Sequence, residues 1–368
     1  LLSQSANLGY VQALNDLGDL YFNGELAPKH MGKAYEYFLK ASQNGSGYGS
    51  YSCGFILMKG SSDIPRDIEK GLSMFRLAVD QNYKAATRDL ARYYYSLETE
   101  EDNRKALDYY LQYIEYNPKD TDTLLHIGLI YESGLGVPLN IDLARRYYER
   151  AAEQDETGMA YNFLGGTYMN DEETESNERK AVHYFQKAIE LGNTNAMFRI
   201  SYYLHNGKGG LQVDIPREIE LLTEASKRGN HQATYRLGLL FEDNESGMAQ
   251  NLELSVKYFQ LAADNGILAA INKMGELYLF GEVIPANLTK AISCFTAASE
   301  QGYGKASYWL GRLHTDGIGQ LEKDTQKAMN YYRKAIEQGY EEAREWMEQL
   351  QKNLVDETIT DIEIPQDK

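Results

Sequence analysis

Apolar residues recur at helical spacing along almost the whole chain, in pairs of short segments separated by turn residues. In the last complete pair, within residues 306–343, the second segment places apolar residues at i, i+3, i+4 and i+7: Ala328, Tyr331, Tyr332 and Ala335. That spacing describes one face of an α-helix. The first segment ends at Gly317, and glycine readily adopts the left-handed conformation that terminates helices. A single helical hairpin cannot bury its own apolar faces, so the pattern predicts a stack of similar hairpins.

One small residue per hairpin gives the period of this stack. Consecutive positions lie 36 or 37 residues apart, and the nine residues are Gly18, Gly54, Ala91, Gly128, Gly165, Ser201, Gly238, Gly275 and Gly311. Other positions of a repeat are numbered below as offsets from this small residue. A small side chain is needed where the two helices of a hairpin cross closely, because a larger one would push them apart. We therefore expect a tight helix–helix contact at each of these positions.

A second recurring position is an alanine in the second helix, replaced by Tyr113 in repeat three. The alanines are Ala41, Ala78, Ala151, Ala188, Ala225, Ala262, Ala298 and Ala335. Four residues beyond each comes glycine, asparagine or aspartate, residues that tolerate a left-handed cap or a tight turn. The sequence therefore predicts an all-α protein, a right-handed α/α solenoid of about nine helical hairpins with repeats of 36–37 residues.

The same pattern predicts the organisation of the chain. Residues 1–12 match the end of a preceding repeat, residues 13–343 hold the nine repeats of one solenoid, and residues 344–354 read as a C-terminal capping helix. We expect residues 355–368 to form an acidic disordered tail. The glycine-rich stretch Asn44–Gly49 predicts a flexible connector. Because the opening residues align with the end of a second helix, we also expect the sequence to belong to a longer protein.

The repeat resembles a known family, the SEL-one-like repeat, which is a longer relative of the tetratricopeptide repeat. The pattern A-x-x-x-L-G-x-x-Y-x-x-G, a loop, then K-A-x-x-Y-Y-x-K-A-x-x-x-G is matched in its second half by Lys180–Ala188 and by Lys327–Ala335. The resemblance covers roughly residues 6–350. It implies a non-enzymatic adaptor that assembles other proteins. Known members include lumenal adaptors of membrane ubiquitin ligases, cytoplasmic signalling scaffolds, respiratory-assembly factors and exported bacterial host-interaction proteins.

Composition narrows the classes of function. The net charge is −17 over 368 residues, which argues against nucleic acid as a partner, because phosphate contacts need clustered Lys and Arg. No apolar run is long enough to span a membrane. Cys53 and Cys294 lie on apolar helix faces in repeats two and eight, so we expect small buried hydrophobes that form no disulfide with each other. They favour a reducing, cytoplasmic compartment, with a secretory lumen or export as alternatives.

The residues give no support to an enzyme. The six histidines form no H-E-x-x-H and none pairs with a cysteine at zinc spacing, and no Walker loop or G-x-S-x-G is present. We therefore predict no catalytic residues, no metal site and no cofactor. Two hypotheses remain: a scaffold that binds partner proteins or peptides, or a solenoid that positions another functional part of a larger protein, such as a ubiquitin-ligase adaptor or a bacterial host-interaction factor. The oligomeric state is left open.

In tetratricopeptide-like stacks the first helix of each repeat lines the concave face, so the resemblance implies a partner surface there, at offsets −3, +1 and +4. At offset −3, where repeat four carries Leu125, the predicted partner-binding residues are Asn15, Tyr51, Arg88, Asn162, Phe198, Tyr235, Asn272 and Tyr308. Aromatic rings supply anchor area and amides can bond a peptide backbone. We expect the main site along repeats six to nine, at Phe198, Tyr235, Asn272 and Tyr308. The alternative is that several of these rings only pack between neighbouring hairpins.

Overall fold

The fold is a succession of helical hairpins. A computed structural model describes residues 2–24, 28–243, 250–318 and 321–360, with only the backbone of residues 354–360. These residues form twenty α-helices and no strand, and they divide into two compact units, residues 1–192 and 193–368. The predicted all-α solenoid class is confirmed.

The first unit contains helices α1 to α11. They are α1 (Leu2–Asn7), α2 (Val11–Asn23), α3 (Met31–Gln43), α4 (Gly47–Lys59), α5 (Ile68–Asp80), α6 (Lys84–Tyr95), α7 (Glu100–Tyr116), α8 (Thr121–Ser133), α9 (Ile141–Ala152), α10 (Met159–Met169) and α11 (Glu175–Glu190). The even-numbered helices from α2 to α10 are the first helices of repeats one to five. Each packs against the odd-numbered helix that follows it.

The second unit contains helices α12 to α20. They are α12 (Thr194–Asn206), α13 (Ile215–Lys227), α14 (His231–Glu242), α15 (Leu252–Asp264), α16 (Leu268–Phe280), α17 (Leu288–Glu300), α18 (Gly304–Asp316), α19 (Thr325–Glu337) and α20 (Ala343–Thr360). Here α12, α14, α16 and α18 are the first helices of repeats six to nine. Helix α20 packs on α19 at the end of the unit.

The recurring small residue makes room for an aromatic ring of the second helix. An added Cβ at Gly275 would lie 2.6 Å from Cε1 of Phe295, which is fully buried. The same relation holds between Gly18 and Phe38, Gly54 and Phe75, Gly128 and Tyr148, Gly165 and Phe185, Gly238 and Phe259, and Gly311 and Tyr332. Real Cβ atoms do not approach ring carbons so closely, so a side chain here would displace the ring. The expected tight contact is therefore a ring against a bare backbone.

Most second helices end in the predicted left-handed residue, and two do not. Asn82 has φ +62°, whereas Asn117 has φ −128°. Asn117 precedes Pro118, and proline disfavours helical conformations in the residue before it. Asp155 instead acts through its side chain: its carboxylate accepts a hydrogen bond from the backbone N–H of Ala160 at 2.7 Å. Its side chain thus pairs a free N–H in the first turn of α10.

Two boundaries differ from the sequence prediction. The connector predicted for Asn44–Gly49 stops at Ser46, whose hydroxyl accepts a hydrogen bond from the backbone N–H of Gly49 and caps α4. Gly47 and Gly49 are helical, and a Cβ on Gly49 would lie 2.7 Å from the carbonyl oxygen of Phe38. Close packing, rather than flexibility, explains these glycines. Helix α20 continues to Thr360, beyond the expected end at Leu354; residues 361–368 of the predicted tail lie outside the described residues.

A buried polar cluster joins consecutive second helices in each unit. In the first unit, the Ser42 and Ser50 hydroxyls lie 2.6 Å apart, and Ser50 donates to Gln81 Oε1 at 2.5 Å while the Gln81 amide donates to the Ser42 carbonyl at 3.1 Å. The second unit repeats this arrangement with Ser299, Ser307 and Gln338. Because each polar group finds a partner, these hydrogen bonds offset the cost of burying the groups and help to fix the spacing of neighbouring repeats.

Candidate partner-binding face

The predicted asparagines of the first-helix face are buried. Asn15 exchanges hydrogen bonds with the Ser46 hydroxyl at 3.0 and 3.2 Å, which links α2 to the start of the next repeat. Asn272 donates to Glu276 Oε1 at 2.9 Å. Asn162 is 4% exposed. All three amides are thus covered by the fold, but only Asn15 is seen to connect neighbouring repeats, because Asn272 bonds within its own helix.

The predicted rings are half-buried and pack on other rings. Tyr51 lies 5.4 Å from Phe75 between ring centroids and donates to Asp89 at 2.7 Å. Tyr235 lies 5.7 Å from Phe259. Burial raises the pKa of Tyr235 to about 12, so its hydroxyl stays protonated at neutral pH.

Tyr308 packs within a cluster of aromatic rings. Its ring lies 5.3 Å from that of Tyr340 and 6.2 Å from that of Trp346, and it also meets Trp309 and Tyr332. Phe198 is half-buried on α12. The sequence left open whether these rings pack between neighbouring hairpins. Tyr51, Tyr235 and Tyr308 do so, whereas binding of a partner by them stays a prediction.

Arg88 and the +4 residue Glu132 are also engaged within the fold. The Arg88 guanidinium lies 3.8 Å from Asp120 and 5.6 Å from the ring centroid of Tyr113. At offset +4, Glu132 accepts a hydrogen bond from Tyr148 at 2.6 Å. Because Tyr148 belongs to the second helix of the same repeat, Glu132 faces that helix rather than the expected inner surface.

A partly open cavity lies between α2 and α4, and we call it the aromatic cavity. Its volume is about 200 Å³, and it is lined by Asp19, Phe22, Phe38, Tyr48, Tyr51, Ser52 and Phe55. Four of these residues occupy the offsets expected to face a partner: −3 (Tyr51), +1 (Asp19 and Phe55) and +4 (Phe22). The cavity therefore joins side chains of two consecutive first helices in one concave site.

The aromatic cavity contains a single carboxylate beside its rings. The Tyr48 hydroxyl donates a hydrogen bond to Asp19 at 2.6 Å. Burial, together with the hydrogen bond and the charge of Asp19, raises the pKa of Tyr48 to about 12. Tyr48 is therefore a fixed donor at neutral pH, and it orients the carboxylate at the wall of the cavity.

A second cavity, of about 380 Å³, lies beside α14 and α16, and we call it the charged cavity. Its wall includes Glu242, Lys273, Glu276 and Phe280. Lys273 bridges Glu242 at 2.8 Å. Glu276 accepts from the Trp309 indole at 2.9 Å and from Lys305 at 2.8 Å. The Glu276 carboxylate thus links α16 to α18 on the side of the charged cavity.

Sequence reasoning named the +1 offset but assigned no residue to it. The structure places Asp19, Phe55 and Glu276 there, and all three line one of the two cavities. Charge was the signal in the sequence that could have identified these positions. Among the repeats with glycine at offset zero, three carry a charged residue at offset +1: Asp19, Glu276 and Arg312. A charged residue on a predicted inner face was a better indication of a site than the half-buried rings.

A larger cavity of about 620 Å³ lies on the side of the second helices. It is bordered by α15, α16 and the start of α17, with Leu261, Met274, Tyr278, Pro285 and Lys290 in its wall. It therefore offers an alternative surface for a partner in the second unit.

The two cysteines are free thiols. Cys53 is buried, and burial raises the pKa of its thiol to about 12. Cys294 is half-buried, and burial raises its thiol pKa as well. Both are therefore poor nucleophiles at neutral pH. Within the described residues no group of three His, Cys, Asp or Glu side chains is arranged to hold a metal ion, and no helix has the length and hydropathy of a membrane span.

Known structures with a similar fold are also repeat proteins. The crystal structure of c5321, a protective antigen of uropathogenic Escherichia coli strains displaying an SLR fold, matches with a TM-score of 0.65 and 21% identity over 96% of this chain and 74% of that one. A Sel1 repeat protein from Oxalobacter formigenes matches with a TM-score of 0.53 and 21% identity, over 95% and 89% of the two chains. Such low identity supports the fold alone.

Curated relatives match over shorter stretches. The Sel1-repeat-containing protein YjcO of Escherichia coli K12 is 33% identical over 78 residues, and protein sel-1 homolog 2 of Rattus norvegicus is 40% identical over 70 residues. The matches span 34% and 10% of those proteins and 21% and 19% of this chain. The family model described as Sel1 repeat matches nine times: residues 11–46, 48–83, 84–112, 123–156, 158–193, 194–230, 231–267, 268–303 and 304–340. With hairpins, small-residue contacts and nine matches in agreement, the chain belongs to the Sel1 repeat family.

Proposed function

We propose that this chain is a non-catalytic scaffold that binds segments of partner proteins along the first-helix face. The observation that carries the proposal is the pair of cavities between neighbouring first helices, one in each unit. Both use the +1 and +4 offsets, and both combine an exposed phenylalanine with a carboxylate. Aromatic anchors beside polar groups are typical of surfaces that bind peptides tightly.

Site-specific photo-crosslinking can test which face binds. A benzoylphenylalanine is introduced at Phe55 or Phe280, which are 41% and 55% exposed on first helices. The matched positions on second helices are Leu77 and Leu261, which are 38% and 47% exposed. The purified variants are added to an extract of the source cells, and crosslinked proteins are identified by mass spectrometry.

We expect the same partner proteins to be captured from Phe55 and Phe280, with little capture from Leu77 and Leu261. Competition with unlabelled wild-type chain should remove the crosslinks. Capture from Leu261 alone would move the site to the 620 Å³ cavity on the second helices, which Leu261 borders. Equal capture at all four positions would mean that neither face is a specific site.

A further inference from the structure

The aromatic cavity has the composition of a site for a cation. The Phe22 ring lies 6.5 Å from Phe38 and 6.1 Å from Phe55, both in edge-to-face geometry. Ring faces attract positive charge through their quadrupole. Asp19 adds a formal negative charge to the same wall. An aliphatic ligand side chain would contact the rings but would offer this carboxylate neither a hydrogen-bond donor nor a positive charge.

Asp19 still has capacity to bind a cation. Among the described residues it accepts one hydrogen bond, from Tyr48, and forms no salt bridge. A carboxylate has about four acceptor positions on its two oxygens. The Lys29 ammonium lies 5.6 Å from the Phe22 ring centroid, at the outer range of a cation–π contact. This ring therefore already attracts a positive group.

The same chain holds arginine in this way at two internal positions. The Arg145 guanidinium lies 3.9 Å from the ring centroid of Tyr168 and 2.7 Å from Asp171. The Arg312 guanidinium lies 3.8 Å from the Trp346 ring and 3.4 Å from Asp316. Each site combines an aromatic face with a carboxylate, and Arg145 also lies 3.6 Å from the carboxylate of Asp142. The aromatic cavity presents the same pair of groups to the outside.

We infer that the aromatic cavity binds an arginine side chain from a basic segment of a partner protein. The inference rests on the proposed function, for which it names the chemistry of one contact. Arginine suits the cavity better than lysine, because its guanidinium is planar, stacks on rings and is less strongly hydrated than an ammonium. The net charge of −17 favours the approach of a basic partner.

Single-residue probes can test the cavity directly. The probe is Nα-acetyl-arginine methylamide, compared with the citrulline analogue, which has nearly the same shape without charge, and the norleucine analogue, which is apolar. The protein carries 4-fluorophenylalanine at its 11 phenylalanines, and the ¹⁹F signals of Phe22 and Phe55 are assigned with Phe→Leu variants. We expect saturable shifts of these two signals with arginine at roughly millimolar affinity, as for a ligand of this size.

The citrulline and norleucine probes should bind at least about fivefold more weakly than arginine, the difference expected for losing an ion pair and a cation–π contact. Asp19→Asn, which keeps an oxygen to accept from Tyr48, should lower the arginine affinity to that of citrulline. Phe55→Leu should weaken arginine by a similar factor. Phe280→Leu is the matched control, since this exposed ring lies in the other unit, and it should change nothing.

Three results would overturn the inference: no shift of the Phe22 and Phe55 signals with arginine, equal affinity for arginine and norleucine, or an unchanged arginine affinity in Asp19→Asn. The remaining ¹⁹F signals show whether a variant is still folded. Failure here is separable from failure of the proposed function, because crosslinking from Phe280 reports partner binding without using the aromatic cavity.

Discussion

At the scale of single residues, the glycines of this chain serve two unrelated physical purposes. Gly275 adopts ordinary helical geometry and is needed because Phe295 occupies the space of its side chain. Gly302 has φ +92°, and no atom lies within 4 Å of an added Cβ. Packing restricts substitution at Gly275, whereas backbone conformation restricts it at Gly302. Gly317 mixes both effects, because its Cβ would also lie 3.0 Å from the backbone nitrogen of Lys323.

The size of the substituted side chain should separate these purposes. At Gly275, Leu should cost about 1–3 kcal/mol of unfolding free energy through displacement of Phe295, and clearly more than Ala, which regains about 1 kcal/mol of helix propensity. At Gly302, Ala and Leu should cost nearly the same, because only the positive φ is penalised. Urea unfolding followed by circular dichroism measures both pairs. A Gly275→Leu variant that loses no stability would refute the ring contact.

At the scale of secondary-structure elements, each hairpin depends on the element that follows it. The last hairpin is covered by α20, whose Leu350 is buried in a cluster with Tyr332 and Ala335. The Arg312 guanidinium of α18 packs on Trp346 of α20. Helix α20 therefore supplies the apolar surface that another repeat would supply inside the stack.

Leu350→Ala should lower the unfolding free energy of the second unit by about 2 kcal/mol, near the lower end for a buried leucine because the site lies at the end of the stack. Glu348→Ala, at an exposed position of the same helix, is the control and should change stability by less than about 0.5 kcal/mol. Hydrogen exchange should show the loss of protection concentrated in α18 and α19. Equal effects of the two variants would mean that α20 does not cover the last hairpin.

At the scale of the whole molecule, buried tyrosines couple stability to alkaline pH. The chain has 30 tyrosines. Burial is the main cause that raises the pKa of Tyr48, Tyr235 and Tyr332 to about 12 from the ordinary 10.0, and it raises the pKa of Tyr51, Tyr110 and Tyr148 as well. These residues occur in both units, so each unit should respond to pH.

The unfolding free energy should fall between about pH 10 and pH 12. Unfolded tyrosines lose their protons near pH 10, while these folded ones keep theirs to about pH 12, so the folded state binds more protons within this window. Below about pH 10 both states are protonated and their contribution is constant. Urea unfolding across this range measures the slope, which Tyr332→Phe should make shallower by removing one of the raised groups. A stability that stays level to pH 12 would contradict the burial of these hydroxyls.

The order of the hairpins and most helix ends could be predicted from the sequence, because they depend on local spacing. Helical periodicity, a small residue every 36 or 37 positions and a turn residue after each second helix act within one repeat. The exceptions involved contacts between distant segments. Gly47 and Gly49 resembled a flexible connector, but they belong to α4 because Tyr83 and Phe38 pack against them.

The accessible part of the first-helix face was decided only by tertiary packing. Tyr51 and Tyr308 occupy the same offset, and each lies beside a tyrosine of the following segment, Tyr83 or Tyr340. Tyr51 nevertheless donates to Asp89 and lines a cavity, whereas Tyr308 packs on Trp346. Exposure at this offset depends on which side chains the following segment places beside it, which a helical period does not encode. The pairing of Asp19 with Tyr48, 29 positions apart, likewise exists only once α2 and α4 lie side by side.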